Sequence, residues 1–363
     1  MNDKQITKVQ IKGYKSIKEC NLGLDMLNVF IGCNGAGKSN FISLFKMLQH
    51  IIDNKLEYYV TSQGGVDSIL HFGSKTTEQL FVDFKFGDNG YGFILVPTKD
   101  NKLMFEEEWF YWEISGKKYL GSGYLESRWK KGTDTGIDNY VMPILKEQKW
   151  RVYHFHDTSD TALIKREHGI NDNISFATDA RNLAAFLYML KETESQHYEK
   201  IVKTIRLVAP FFDDFILRPN PLKGDRIQLE WKGIDNDIPF TASQLSDGTL
   251  RFICLATLLL QPPRLMSETI LIDEPELGLH PYAITILASL IKSASKKKQI
   301  IISTQSVELL NQFDVEDIVV VNREENNSTF NRLNEKELEI WLENEYTLGE
   351  LWNKNLLGGR PAK

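Results

Sequence analysis

Residues 32–39 read Gly32-Cys33-Asn34-Gly35-Ala36-Gly37-Lys38-Ser39, a complete G-x-x-x-x-G-K-[ST] loop. Ahead of it, Leu27 to Ile31 is a short apolar run that reads as a buried strand. Behind it, Phe41, Leu44, Phe45, Leu48, Ile51 and Ile52 recur at helical spacing. Strand, glycine loop, helix is the setting in which such a loop cradles phosphate. Its glycines let backbone N–H groups turn toward the anion, and the helix points its positive end there. In that geometry Lys38 bridges the β- and γ-phosphates of ATP, and the Ser39 hydroxyl binds Mg²⁺.

Three further motifs follow in order. Leu245-Ser246-Asp247-Gly248-Thr249 precedes a helical run. Ser-Asp-Gly is an ordinary helix start, and a serine with backbone amides at a helix N-terminus also suits a γ-phosphate held by another subunit. Thr269 to Ile272 is an apolar strand ending in Asp273 and Glu274. A carboxylate at that strand tip suits Mg²⁺, and the next one can polarise the attacking water. Ile300-Ile301-Ile302-Ser303-Thr304-Gln305 is a buried strand with polar groups at its carboxyl end, where open α/β sheets bind ligands. Gln305 is placed to contact the water or the γ-phosphate.

Between these motifs the texture changes. Leu80 to Phe86, Tyr91 to Val96, Phe105 to Ile114 and Trp150 to Phe155 are aromatic, β-prone runs with turn signals between them. Asp179 to Val208 reads as helix, closed by Pro210, and Arg218 to Phe240 as short strands. After Ser246, helices and strands alternate, which implies a parallel sheet buried on both faces. The expected class is therefore α/β: a P-loop NTPase lobe with a mostly parallel core sheet, split between residues 1–75 and 241–363. Residues 76–240 form an inserted β-meander and helical subdomain.

The bulk properties narrow the partners. A net charge of −6 argues against a globally basic nucleic-acid binder while leaving room for a local basic patch. Cys20, Cys33 and Cys254 have neither metal-ligand spacing nor disulfide density, so the chain reads as cytoplasmic and reduced. No apolar run approaches the roughly 18–20 residues that span a bilayer, and the amino terminus lacks a signal-peptide pattern. Lys296-Lys297-Lys298 reads as a solvated helix end. His154, His156 and His168 show no metal spacing, and Trp109, Tyr111 and Trp112 read as core and sheet surface.

Together the motifs resemble the ABC-type ATPases of the RecF/SMC group, and the AAA-family ATPases grouped with abortive-infection and OLD-like proteins. Gly13-Tyr14-Lys15-Ser16-Ile17 is similar to the family's N-terminal Gly-Phe-Lys-Ser element, so the resemblance places Lys15 near the nucleotide. Gly37-Lys38-Ser39-Asn40 is similar to the RecF/SMC phosphate loop, and Leu245 to Thr249 to the ABC signature, with Asp247 where a glycine is usual. Asp273 to Pro281 resembles the Walker B and D-loop of the OLD-like branch. Gly349-Glu350-Leu351-Trp352 and Gly358-Gly359-Arg360-Pro361 are similar to the tail of one bacterial ATPase family in this branch. The resemblance implies homodimers or higher even oligomers that sandwich ATP between one chain's phosphate loop and its mate's Ser246. Gln305 stands where the family usually has histidine, which puts fast turnover in question. Gln63 and Gln79 are the candidates for a Q-loop glutamine.

Three functional readings follow. The first is an ATPase acting on DNA or gating a partner nuclease or effector chain, in phage defence or DNA repair. No nuclease motif follows Gln305, so cutting would fall to the partner. The second is a transporter ATPase subunit, against which the 208 residues between Lys38 and Ser246 and the β-rich insert both count. The third is a nucleotide-gated scaffold with little turnover.

Overall fold

A computed structural model describes residues 5–133, 136–146, 150–234, 238–336, 338, 341 and 346–358. The Gly359-Arg360-Pro361 part of the tail motif lies outside the described residues. The chain forms two compact units. One comprises Met1–Val152, Ser267–Leu271 and Asp314–Lys363, the other Tyr153–Met266 and Ile272–Phe313.

In the first unit, β1 (Lys8–Tyr14), β2 (Ile17–Gly23) and β3 (Leu27–Ile31) precede α1 (Lys38–Ile52) and α2 (Leu56–Ser62). The meander then supplies β4 (Leu80–Phe86), β5 (Asn89–Pro97), β6 (Leu103–Trp112) and β7 (Gly116–Gly121). β4 pairs with β1, so meander and amino-terminal hairpin form one antiparallel sheet in the order β2-β1-β4-β5-β6-β7. Apolar and polar residues alternate along β1, as a sheet with one covered face requires. Trp109 is fully buried and donates its indole N–H to Asp83 at 3.0 Å, in keeping with a core role.

β3 is buried at every position and pairs in parallel with the strand Ile318–Glu324, matching Val29 to Ile318 and Ile31 to Val320. The strand Asn327–Arg332 continues this sheet antiparallel. α1 lays its apolar stripe against it. Phe41 lies 4.8 Å from Phe30, 5.4 Å from Phe330 and 5.6 Å from Phe45, ring centre to ring centre, and Phe45 reaches Phe84 of β4 at 5.6 Å. This aromatic wedge fixes where α1 begins, and hence where the glycine loop ends.

In the second unit, the helix expected over 179–208 is two helices, Leu183–Thr193 and Ser195–Val208. Glu194 breaks them with φ −138° and ψ 48°, outside the helical region. The helices Asp247–Leu260 and Pro281–Ser295 and the strand Gln299–Thr304 occur where the alternating pattern placed them. The lysine run after the second helix is only partly solvated: Lys296 and Lys297 are exposed, whereas Lys298 is buried. One element of the first unit carried no sequence signal, the helix Asp138–Lys146, which holds Pro143 in its interior. Among the described residues no helix is long and apolar enough to cross a membrane.

Phe41→Ala should cost about 4 kcal/mol of stability, because it removes a fully buried ring that its neighbours cannot replace. Urea unfolding measures this, and a loss below about 1 kcal/mol would mean the wedge does not seat the loop.

Candidate functional site

The phosphate loop belongs to the first unit and runs from β3 into α1. Gly37 sits at φ 116°, and a Cβ there would lie 2.0 Å from Ser328 Oγ, so only glycine lets the loop pass. Lys38 is buried. Its ammonium donates to the carbonyls of Gly32 at 2.6 Å and Cys33 at 3.1 Å. Ser328 Oγ donates to the Ala36 carbonyl at 2.6 Å, and Arg323 donates to the Gly35 carbonyl at 3.1 Å. The loop carbonyls are thus held from the protein side, while Asn34, Gly35 and Ser39 are exposed.

Lys15 lies at the turn between β1 and β2 with φ 48°. Its amine donates to Gln63 Oε1 at 3.1 Å, and burial, then the nearby charge of Lys46, lower its pKa. The adjacent Ser16 accepts from Asn40 Nδ2 at 2.7 Å, and its hydroxyl lies 2.7 Å from that of Ser328. The amino-terminal hairpin is therefore bonded directly to the start of α1. The amide of Asn40, expected among the nucleotide contacts, is directed at Ser16.

The Asp273–Glu274 corner lies in the second unit. Asp273 Oδ1 accepts from Ser303 Oγ, and the Glu274 N–H donates to the Ser303 carbonyl at 2.9 Å. Gln305 Nε2 donates to Glu274 Oε1 at 3.2 Å. Both carboxylates are half-buried and Gln305 is exposed. Glu274 adopts φ 45°, a left-handed conformation that a non-glycine residue holds only under constraint. The His156 Nε2 lies 2.9 Å from the Asp273 carbonyl.

Behind this corner Glu276 is buried. Its Oε1 accepts from Thr304 Oγ1 at 2.5 Å and from the Gln305 N–H at 3.4 Å, while Oε2 has no hydrogen-bond partner. Burial pushes its pKa above the ordinary 4.5, opposed by the Thr304 hydroxyl and by backbone N–H donors and reinforced by the charge of Glu274.

Ser246 is the N-cap of the helix Asp247–Leu260. Its Oγ accepts from the Thr249 N–H at 3.2 Å. Ser246 and Asp247 are exposed, and Gly248 packs so closely on the Gly278 carbonyl that a Cβ would stand 2.3 Å from it. One turn on, Arg251 donates to the carbonyls of Leu277 at 3.0 Å, Phe155 at 3.2 Å and His156 at 2.9 Å. One guanidinium thus joins the signature helix to the turn after Glu274 and to the His156 segment.

The sequence motifs missed His156, Glu276, Arg251, Arg323 and Ser328. Glu276 lies within the quoted Asp273–Pro281 stretch, and Arg251 is the lone charge in the apolar run Leu250–Leu260. Arg323 and Ser328 meet their loop partners across 288 and 292 residues, where no local pattern operates. Among the described residues no group of three or more His, Cys, Asp or Glu side chains is arranged to hold a metal.

A glycine loop joining a buried strand to a helix, with an Asp-Glu pair ending another strand, defines a P-loop ATPase fold of the ABC/SMC type. The chain belongs to the family described as "AAA domain, putative AbiEii toxin, Type IV TA system", whose model matches residues 27–311. It is 25% identical over 348 residues to the Old nuclease of Escherichia phage P2, and the match covers 84% of this chain and 57% of that protein. The chain thus spans little more than half the length of that relative. Among solved structures it resembles the Smc head domain with an extended coiled coil bound to the C-terminal domain of ScpA, derived from Pyrococcus furiosus. That likeness has a TM-score of 0.56 at 16% identity and covers 94% of this chain and 99% of the other. The Smc head domain with a coiled coil and joint derived from Pyrococcus yayanosii matches with a TM-score of 0.51 at 12% identity, covering 94% and 99%.

The buried Glu276 carboxyl has a pH signature. With its folded pKa raised, the folded state retains a proton that the unfolded chain releases, so stability falls as pH rises above about 4.5. Glu276→Gln has no such titration. Its stability relative to wild type should climb between about pH 4 and about pH 8, as read from urea unfolding. A pH-independent difference would mean that the carboxyl titrates normally.

Proposed function

We propose that this chain binds and hydrolyses ATP as a head-to-tail dimer, and that the nucleotide cycle gates a nucleic-acid-directed effector in phage defence. The observation that carries the catalytic part is the Glu274 corner. Its carboxylate is half-buried, receives the Gln305 amide at 3.2 Å and is fixed through its own N–H to Ser303. In this reading water attacks the γ-phosphorus, Glu274 takes its proton, and the bond to the β-phosphate oxygen breaks to release ADP and phosphate. Lys38 neutralises the developing charge, and Mg²⁺ held by Ser39 and Asp273 would share that task. Gln305 orients the water as a neutral donor. It adds no positive charge, so turnover is slow.

The dimer reading rests on the signature turn. Ser246 and Asp247 are exposed at a helix N-terminus, where a second chain's γ-phosphate would be received. The defence reading rests on the abortive-infection family and on the phage relative, whose name declares a nuclease. DNA repair is the second reading, favoured by the Smc head fold.

Three variants test the cycle. Lys38→Ala should abolish ATP binding in calorimetry. Glu274→Gln should bind ATP but hydrolyse at least about a hundredfold more slowly, and should accumulate as an ATP-dependent dimer in sedimentation. Adding Ser246→Arg to that variant should leave binding intact and prevent the dimer. Wild-type turnover no faster than that of Glu274→Gln would sink the enzyme reading in favour of a scaffold.

A further inference from the structure

We propose that Glu276 is a positioning residue for ATP hydrolysis, holding the main chain of Gln305 so that its side-chain amide stays on Glu274. The inference rests on the ATP reading above and deepens it by assigning what aims Gln305.

Glu276 is only 8% exposed. Burying a carboxyl is unfavourable unless its oxygens are well bonded. Here only one of them is. Oε1 accepts from Thr304 Oγ1 at 2.5 Å and from the Gln305 N–H at 3.4 Å, while Oε2 has no hydrogen-bond partner. The neighbouring charge of Glu274 adds to the cost of ionising it. For stability alone an apolar side chain with matching neighbours would serve better. The acid therefore has a task beyond holding the fold together.

The place it grips specifies that task. The strand Gln299–Thr304 ends at the fully buried Thr304, and Ser306 caps the short helix Val307–Leu310 by accepting from the Leu309 N–H at 3.1 Å. Gln305 is the single residue between strand and cap. Thr304 Oγ1 accepts the Ser306 N–H at 2.9 Å and donates its own proton to Glu276. One carboxyl oxygen thus anchors the backbone on both sides of the strand end. The Gln305 side chain is exposed and rotates about several bonds, so its direction depends on that anchor and on the bond from its amide to Glu274 Oε1 at 3.2 Å. Glu274 and Glu276 belong to one turn, in which the Leu277 N–H donates to the Glu274 carbonyl at 3.2 Å. Two acids of one turn therefore hold one glutamine, by its main chain and by its side chain. All these residues belong to the second unit. Losing the main-chain hold would let the amide drift from the carboxylate that, in the ATP reading, takes the proton of the attacking water.

Steady-state ATP hydrolysis by the full chain, in a double-mutant cycle with Gln305, tests this. Glu276→Met keeps the length and removes the acceptor. It should lower kcat about tenfold and leave KM and the calorimetric affinity for ATP as in wild type. Glu276→Gln keeps an acceptor and should recover most of that loss. In a Gln305→Ala background, itself slower than wild type, Glu276→Met should cause no further loss. If Glu276→Met does not fold, Thr304→Val removes the hydroxyl that pins the same carboxyl and takes its place in the cycle. An unchanged kcat, a drop in ATP affinity matching the drop in kcat, or a tenfold loss that persists without Gln305 would each overturn the proposal. So would Gln305→Ala turning over as fast as wild type. Wild type no faster than Glu274→Gln would sink the hydrolysis reading and this assignment with it. A wild type that turns over while the Glu276 variants match it refutes the assignment alone.

Discussion

The ammonium of Lys38 is the interaction on which the first unit's site depends. A buried cation must be satisfied by acceptors, and here the carbonyls of Gly32 and Cys33 supply them from the loop's own backbone. The loop is thereby curled around that charge. That curl demands a fixed entry and exit. The fully buried β3 sets the entry, and the Phe30–Phe41–Phe45 wedge sets the exit. Ser328 and Arg323 brace it from the paired strands Asn327–Arg332 and Ile318–Glu324.

The second unit repeats the same logic with a carboxylate. Glu274 sits in a left-handed turn before Pro275, fixed by its N–H to Ser303 and facing the Gln305 amide. Glu276 grips the main chain of Gln305 from behind, so two glutamates address one glutamine, one from each end. Arg251 then joins this corner to the signature helix through main-chain carbonyls.

The comparisons agree at the level the geometry reaches. The Smc head domains share the fold, and the chain belongs to the AAA domain family whose description names the AbiEii toxin. The P2 relative extends well beyond the length matched here.

Much of this was legible in the sequence because the signals are local. A glycine loop between an apolar strand and a 3.6-periodic helix is visible within residues 27–52, and the Asp273–Glu274 and Ser303–Gln305 strand ends are contiguous stretches. What sequence could not reveal is non-local. That Ser328 braces Ala36, that His156 meets Asp273, and that Gly248 needs room for the Gly278 carbonyl all depend on which distant segments meet. The residues alone determined the type of chemistry, because glycine, lysine and paired acids at fixed spacing leave few alternatives. Tertiary structure decided which neighbours aim and brace those groups, because the hydrogen bonds that do so join segments the chain order keeps apart.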